Sequence, residues 1–142
     1  MAARRGVTSE QLAEAALAML DEAGRLEAVR PSAVAKRLGI RSQSLYAHLD
    51  GTAGLRRLLA LLCLDELAAL VTAAAVGRSG RDAVEAIVRT QLGYALAHPG
   101  RSEATVHPPG NDMELVASIE RAGGPLQTVL TSLGLDFEAR VH

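Results

Sequence analysis

Pro31 and Gly39 bracket a segment, PSAVAKRLG, with room for about two turns of helix. A proline suits the first position of a helix, and a glycine reaches the left-handed conformation that ends one. Val34, Ala35 and Leu38 give the segment a single apolar stripe, and Ile40 is placed to plug the turn that follows. A second short helical pattern begins at once, with Leu45 and Leu49 inward and Ser42, Gln43, Ser44, Ala47 and His48 outward. Asp50-Gly51-Thr52 breaks it, and Thr52 is a candidate N-cap for the next helix. Two short helices joined by a glycine-containing turn make a helix-turn-helix unit.

The rest of the chain reads as helix too. Ala and Leu dominate, alternating β-branched runs are absent and aromatic residues are 2% of the total. Thr8-Ser-Glu-Gln11 has the form of a capping box, Leu12, Ala13, Ala16, Leu17 and Leu20 recur at helical spacing, and Gly24 supplies a stop. From Thr52 to about Val76 a leucine-rich helix is apolar on several sides, which requires burial on several sides. Gly77-Arg-Ser-Gly80 ends it. An amphipathic helix is expected from Arg81 to Ala97, a loop from His98 to Asn111, and helices over 112–122 and 126–133 separated by a break at Gly123-Gly124-Pro125. Asp136 has the character of an N-cap for a helix starting at Phe137, and the chain stops within two turns, so an incomplete chain is expected. The predicted fold class is all-α. A three-helix helix-turn-helix head over 1–51 is joined by the long helix to a helical body over 52–142.

Charge is unevenly spread. The formal net charge is −1, yet between Arg30 and Arg57 there are 6 basic residues to 1 acidic. A basic segment in a near-neutral chain is the electrostatic footprint of polyanion binding. The longest unbroken apolar run, Leu58 to Leu64, is far short of the ~20 residues a bilayer span needs. The first residues lead into no apolar signal segment, and the single cysteine, Cys63, makes no internal disulfide. A cytoplasmic location without membrane attachment is the expectation.

A short helix after a tight turn fits the major groove while the helix before it crosses the backbone. Gln43 is suited to an adenine edge, Arg41 to guanine, and Ser42 or Ser44 to any base. Tyr46 and His48 offer an O–H and an N–H to phosphates, as do Thr8 and the first turn of helix 1. Arg4 and Arg5 precede that helix as an arm for phosphate or minor groove, and Ala47 and Thr52 complete the candidate DNA-contacting set.

Residues 8–62 resemble the N-terminal DNA-binding domain of the TetR/AcrR family of bacterial transcriptional regulators. The likeness is carried by LAEAALAMLDEAG, AVAKRLGI and SLYAHLDGTAGLRRLL, with Leu45-Tyr46-x-His48 its most specific piece. The later LGYALAHPG and the proline-rich loop resemble the ligand-binding body of some members more weakly. The resemblance implies a homodimeric, usually repressing regulator that binds a roughly palindromic operator and is released by a small molecule held in the C-terminal helices. By position it carries operator contacts onto Ser42, Ser44, Tyr46, Ala47 and His48. Three departures stand out: Arg30 where a Ser or Thr usually caps helix 2, Arg41 where a Ser commonly opens the recognition helix, and Asp50-Gly51-Thr52 where a phosphate-binding Lys is frequent. Leu62, Gln91, Leu92, Tyr94, Leu96, Met113 and Val116 are the candidate lining of a pocket for an apolar effector, with Gln91 and Tyr94 as its polar handles.

Two other classes compete. An enzyme would draw on His98, His107, Asp112 and Glu114, but the chain has no HExxH, P-loop or nucleophile elbow, and no metal-ligand spacing. No catalytic residue, metal or cofactor is expected. A helical protein-interaction module with degraded DNA binding is the alternative that the departures around Asp50 keep open.

Overall fold

The computed structural model describes residues 6–135. Every α-helix among them follows in chain order: α1 (Ser9–Ala23), α2 (Pro31–Leu38), α3 (Ser42–Tyr46), α4 (Gly51–Ala75), α5 (Gly80–Ala97), α6 (Pro99–Thr105) and α7 (Met113–Ser132), with a 3-10 turn at Leu26–Ala28 after α1. No strand occurs among the described residues, and the all-α class holds. Arg4, Arg5, Asp136 and Phe137 lie outside them.

The helices form two compact units. The first runs to Leu62 and takes in His98–His107; the second comprises Cys63–Ala97 and the chain from Pro108 onward. α4 supplies residues to both, those up to Leu62 to the first and those from Cys63 on to the second. Its most apolar window has a mean hydropathy of 2.0, so by length and composition alone it is long enough and apolar enough to cross a membrane. Leu55, Leu59 and Ala60 are buried in the first unit and Cys63, Leu64, Ala68 and Val71 in the second, which gives that apolarity an internal use.

In the first unit the helix ends follow local chemistry. Thr8 Oγ1 accepts the Gln11 N–H at 3.1 Å while Gln11 Oε1 accepts the Thr8 N–H at 2.9 Å, closing both halves of the capping box. Gly24 at φ 69° and Gly39 at φ 68° end α1 and α2 in the left-handed region. Leu12, Leu20, Val34, Leu45, Leu55 and Leu59 are each less than 2% exposed or at that limit, and make the core. Thr52 is not a cap: α4 begins one residue earlier, at Gly51, and the Asp50 carbonyl accepts the Gly54 N–H at 3.0 Å.

The expected loop over 98–111 is corrected in its first half by α6. Pro99, inside that expected loop, sits at the first position of a new helix, where its missing N–H costs nothing. Tertiary packing then decides the matter. α6 lies against α1 so closely that a Cβ on Gly100 would meet the Leu20 carbonyl oxygen at 2.7 Å. Arg101 donates to Asp21 through Nε (2.8 Å) and Nη2 (2.6 Å), and Glu103 Oε2 accepts the Leu26 N–H at 2.8 Å. The Arg101 guanidinium holds the Asp21 carboxyl below its ordinary value, against the opposing effect of partial burial.

In the second unit α5 packs on α7. The predicted break at 123–125 does not occur, for α7 continues through Pro125. An internal proline costs a helix about 3 kcal/mol. Leu115, Ser118 and Ala122 before it and Leu126, Val129 and Leu130 after it fall on one face, so an unbroken helix keeps both halves in register. Asp112 caps its start by accepting the Leu115 N–H at 3.1 Å. Buried Ser118 donates to Asp65 Oδ1 at 3.1 Å, and Arg121 joins both, linking α4 to α7. Tyr94 is buried with its O–H 3.5 Å from the Cys63 carbonyl; burial, with Cys63 and Glu66 nearby, pushes the phenol up.

Candidate nucleic-acid interface

Helix α3 is five residues long and its N-cap, Arg41, makes no side-chain capping bond. So short a helix has little stability of its own and depends on what it packs against. Leu45 is fully buried and Leu49 nearly so, and the Leu45 carbonyl accepts both the His48 and the Leu49 N–H (2.9 and 3.1 Å), carrying the turn two residues past the helix end. With those two leucines fixed inward, helical spacing turns the other side chains out. Arg41, Gln43, Ser44, Tyr46, Ala47 and His48 are exposed and Ser42 is half-buried. They form a polar ridge whose one permanent charge is Arg41.

Tyr46 is 55% exposed, and its Cε1 lies 3.7 Å from where a Cβ on Gly51 would stand. Gly51 holds φ 61°, a left-handed conformation that suits a glycine at the sharp entry into α4. Thr52 is exposed in the first turn of α4. Thr8 spends only acceptor capacity in its capping bond, so its hydroxyl proton stays available to an outside acceptor. On the side of the ridge facing the start of α1, an open groove of about 910 Å³ is lined by Val7, Gln11, Gly39, Arg41, Ser44 and His48.

The basic surplus of residues 30–57 divides. Arg37 is bound to Glu22 by two hydrogen bonds of 2.8 and 2.9 Å, and each group shifts the other toward its charged form. That pair is solvent-exposed and joins α1 to α2, away from α3. Arg30 precedes α2 without a side-chain capping bond, as its departure from the family pattern implies. Sequence pattern alone had no means of finding the Glu22–Arg37 pair, whose members are 15 residues apart.

The expected pocket residues are less convergent. Leu92, Leu96 and Met113 are exposed at 58%, 76% and 75%, Leu62, Gln91 and Val116 are half-buried, and Tyr94 is buried. Along α5, burial separates Ile87 and Tyr94, which face the core, from Val88, Leu92 and Leu96, which are exposed. Among the described residues no group of three His, Cys, Asp or Glu side chains is placed to hold a metal ion. Sequence reading also missed Asp21, Gly100, Arg101 and Glu103. Small residues at 100 and 104, four apart behind a proline, were the available signal for a close-packed helix.

No protein-family model matches the chain. It is similar to the uncharacterized HTH-type transcriptional regulator Rv0681 of Mycobacterium tuberculosis, with 34% identity over 134 residues, 93% of this chain and 61% of that protein. It is also similar to the uncharacterized HTH-type transcriptional regulator YobS of Bacillus subtilis, with 28% identity over 106 residues, 75% of this chain and 55% of that protein. The chain thus spans little more than half the length of these curated relatives.

Proposed function

We propose that this chain is the DNA-binding part, with some of the body, of a transcriptional regulator of the TetR/AcrR kind. The observation that carries the reading is the ridge: Arg41 to His48 turned outward while Leu45 and Leu49 are buried behind it, in a chain similar to two HTH-type regulators. α3 enters the major groove, where Gln43 and Arg41 read base edges, and Tyr46, His48 and Thr8 hold phosphates. Ser42, Ser44, Ala47 and Thr52 complete the proposed contact set, and Arg4 and Arg5, outside the described residues, are assigned to phosphate or minor groove.

As a homodimer the protein sets two such ridges about 34–36 Å apart on a pseudo-palindromic operator. Repression follows from occupying that operator, and release from a small apolar molecule that binds the helical body only in a form with a different ridge spacing. α4, with residues in both compact units, is the connection through which that difference is transmitted. The functional division at residues 51/52 belongs to this proposal.

Selection of duplex fragments from a random pool, followed by footprinting, tests it. The expected result is a protected, roughly palindromic site at physiological salt, with sequence preference altered in Gln43→Ala and Arg41→Ala. A pool that shows no enrichment would leave an exposed polar ridge without a nucleic-acid role and overturn the reading.

A further inference from the structure

The two halves of α7 are held to the second compact unit unequally. Before Pro125, Leu115, Ser118 and Ala122 are buried, and Ser118 and Arg121 are hydrogen-bonded to Asp65 of α4. After it, none of the described residues 126–135 is buried: Leu126, Val129 and Leu130 are half-buried, and Leu133 and Leu135 are 47% and 52% exposed. The far end of this second half is closed by its own bonds. The Leu135 N–H is donated to the Leu130 carbonyl and the Gly134 N–H to the Thr131 carbonyl, both at 3.0 Å. Between the halves stand Gly123, Gly124 and Pro125, the two residue types least suited to a helix interior. Pro125 has no N–H, so the Arg121 carbonyl receives no bond from the following turn. The packed helix has no need of the glycines. Neither has a positive φ, and a Cβ on either would meet nothing within 4 Å. Glycines that serve neither a turn nor a close approach supply backbone freedom instead.

We propose that residues 123–125 are a hinge, at which residues 126–132 leave the second unit together while 113–122 stay in place, tied to α4 through Asp65. Opening gives up only half-buried contacts, and the turn it disrupts is the one that Pro125 has already weakened. The opened form exposes the apolar side of 126–130. An isolated helix of two turns is unstable in water, so the released segment loses its backbone hydrogen bonds as well. A molecule that meets the second unit in only one of the two forms shifts their populations. The hinge lies wholly in the second unit and does not depend on α3 contacting DNA.

Native-state amide hydrogen exchange, followed by NMR on the 142-residue chain, reads this motion. The amides of 126–132 are expected to exchange at one common rate, at least about tenfold faster than those of 115–122, with the step at 123–125. A double variant, Gly123→Ala with Gly124→Ala, places its methyl groups in open space and stiffens the hinge. It is expected to slow exchange over 126–132 by roughly ten- to thirtyfold. Circular dichroism checks that the variant keeps its helix content. Protection that falls off gradually from 122 to 132 would mean fraying from the helix end, and would overturn the hinge. Equal protection on the two sides of Pro125 overturns it too, as does exchange over 126–132 that the double substitution leaves unchanged.

Discussion

Two surfaces of the first compact unit carry polar side chains in opposite ways. Where α6 meets α1, Arg101, Asp21, Glu103 and the Leu26 N–H satisfy one another at 2.6–2.8 Å, over a glycine that lets the helices touch. Along α3, Gln43, Ser44 and Tyr46 project from a five-residue helix with no side-chain cap, held only by the leucines behind it. The first arrangement uses its hydrogen-bonding capacity within the chain and contributes to stability. The second leaves that capacity for an outside partner, at the cost of a helix that cannot stand alone.

Substitutions sharpen that contrast. The largest effect is expected from Leu45→Ala, which removes the anchor under the ridge and costs about 2–5 kcal/mol in denaturant unfolding. A loss below about 1 kcal/mol would mean that α3 is not held from behind. Gly100→Ala drives a methyl into the Leu20 carbonyl and is expected to cost about 1–3 kcal/mol, seen as a Tm several degrees lower. It should leave DNA contacts chemically intact.

Arg101→Gln removes a partly exposed charge pair and should cost about 1 kcal/mol at neutral pH. Asp21's folded-state pKa lies below its ordinary 3.8, so its contribution is present above that value and is lost as pH falls through the lowered one. The difference in stability between native chain and Arg101→Gln should therefore shrink at strongly acidic pH, and a constant difference would show that Asp21 is not its source. Gln43→Ala is expected to change stability by less than about 0.5 kcal/mol, while costing about 1–3 kcal/mol of discrimination at one base pair. Thermal melts beside binding to selected duplexes separate the two quantities.

How much was legible beforehand differs between the same regions. The start of α1, the ends of α1 and α2, the inward turn of Leu45 and Leu49 and the outward turn of their neighbours all follow from interactions within four residues in the chain. Capping boxes, left-handed glycines and 3.6-residue spacing are local rules. α6 was misread because Pro99-Gly100 has two local meanings, and only the Leu20 backbone 80 positions away selects between them. The break expected at Gly123-Gly124-Pro125 failed for the same reason, since the gain from packing α7 on α5 is not written in those three residues.

By itself the sequence determined an all-helical chain, its punctuation in the first half and which side of α3 is apolar, because each depends on backbone preference and short-range spacing. Tertiary structure alone decided that Arg37 is tied to Glu22, that α6 exists and seats on α1, that Leu92 and Leu96 face away from the core, and that Val7 and Gln11 share one groove with Arg41, Ser44 and His48. Those outcomes rest on contacts between residues far apart in the chain, whose energies exceed the local preferences they override.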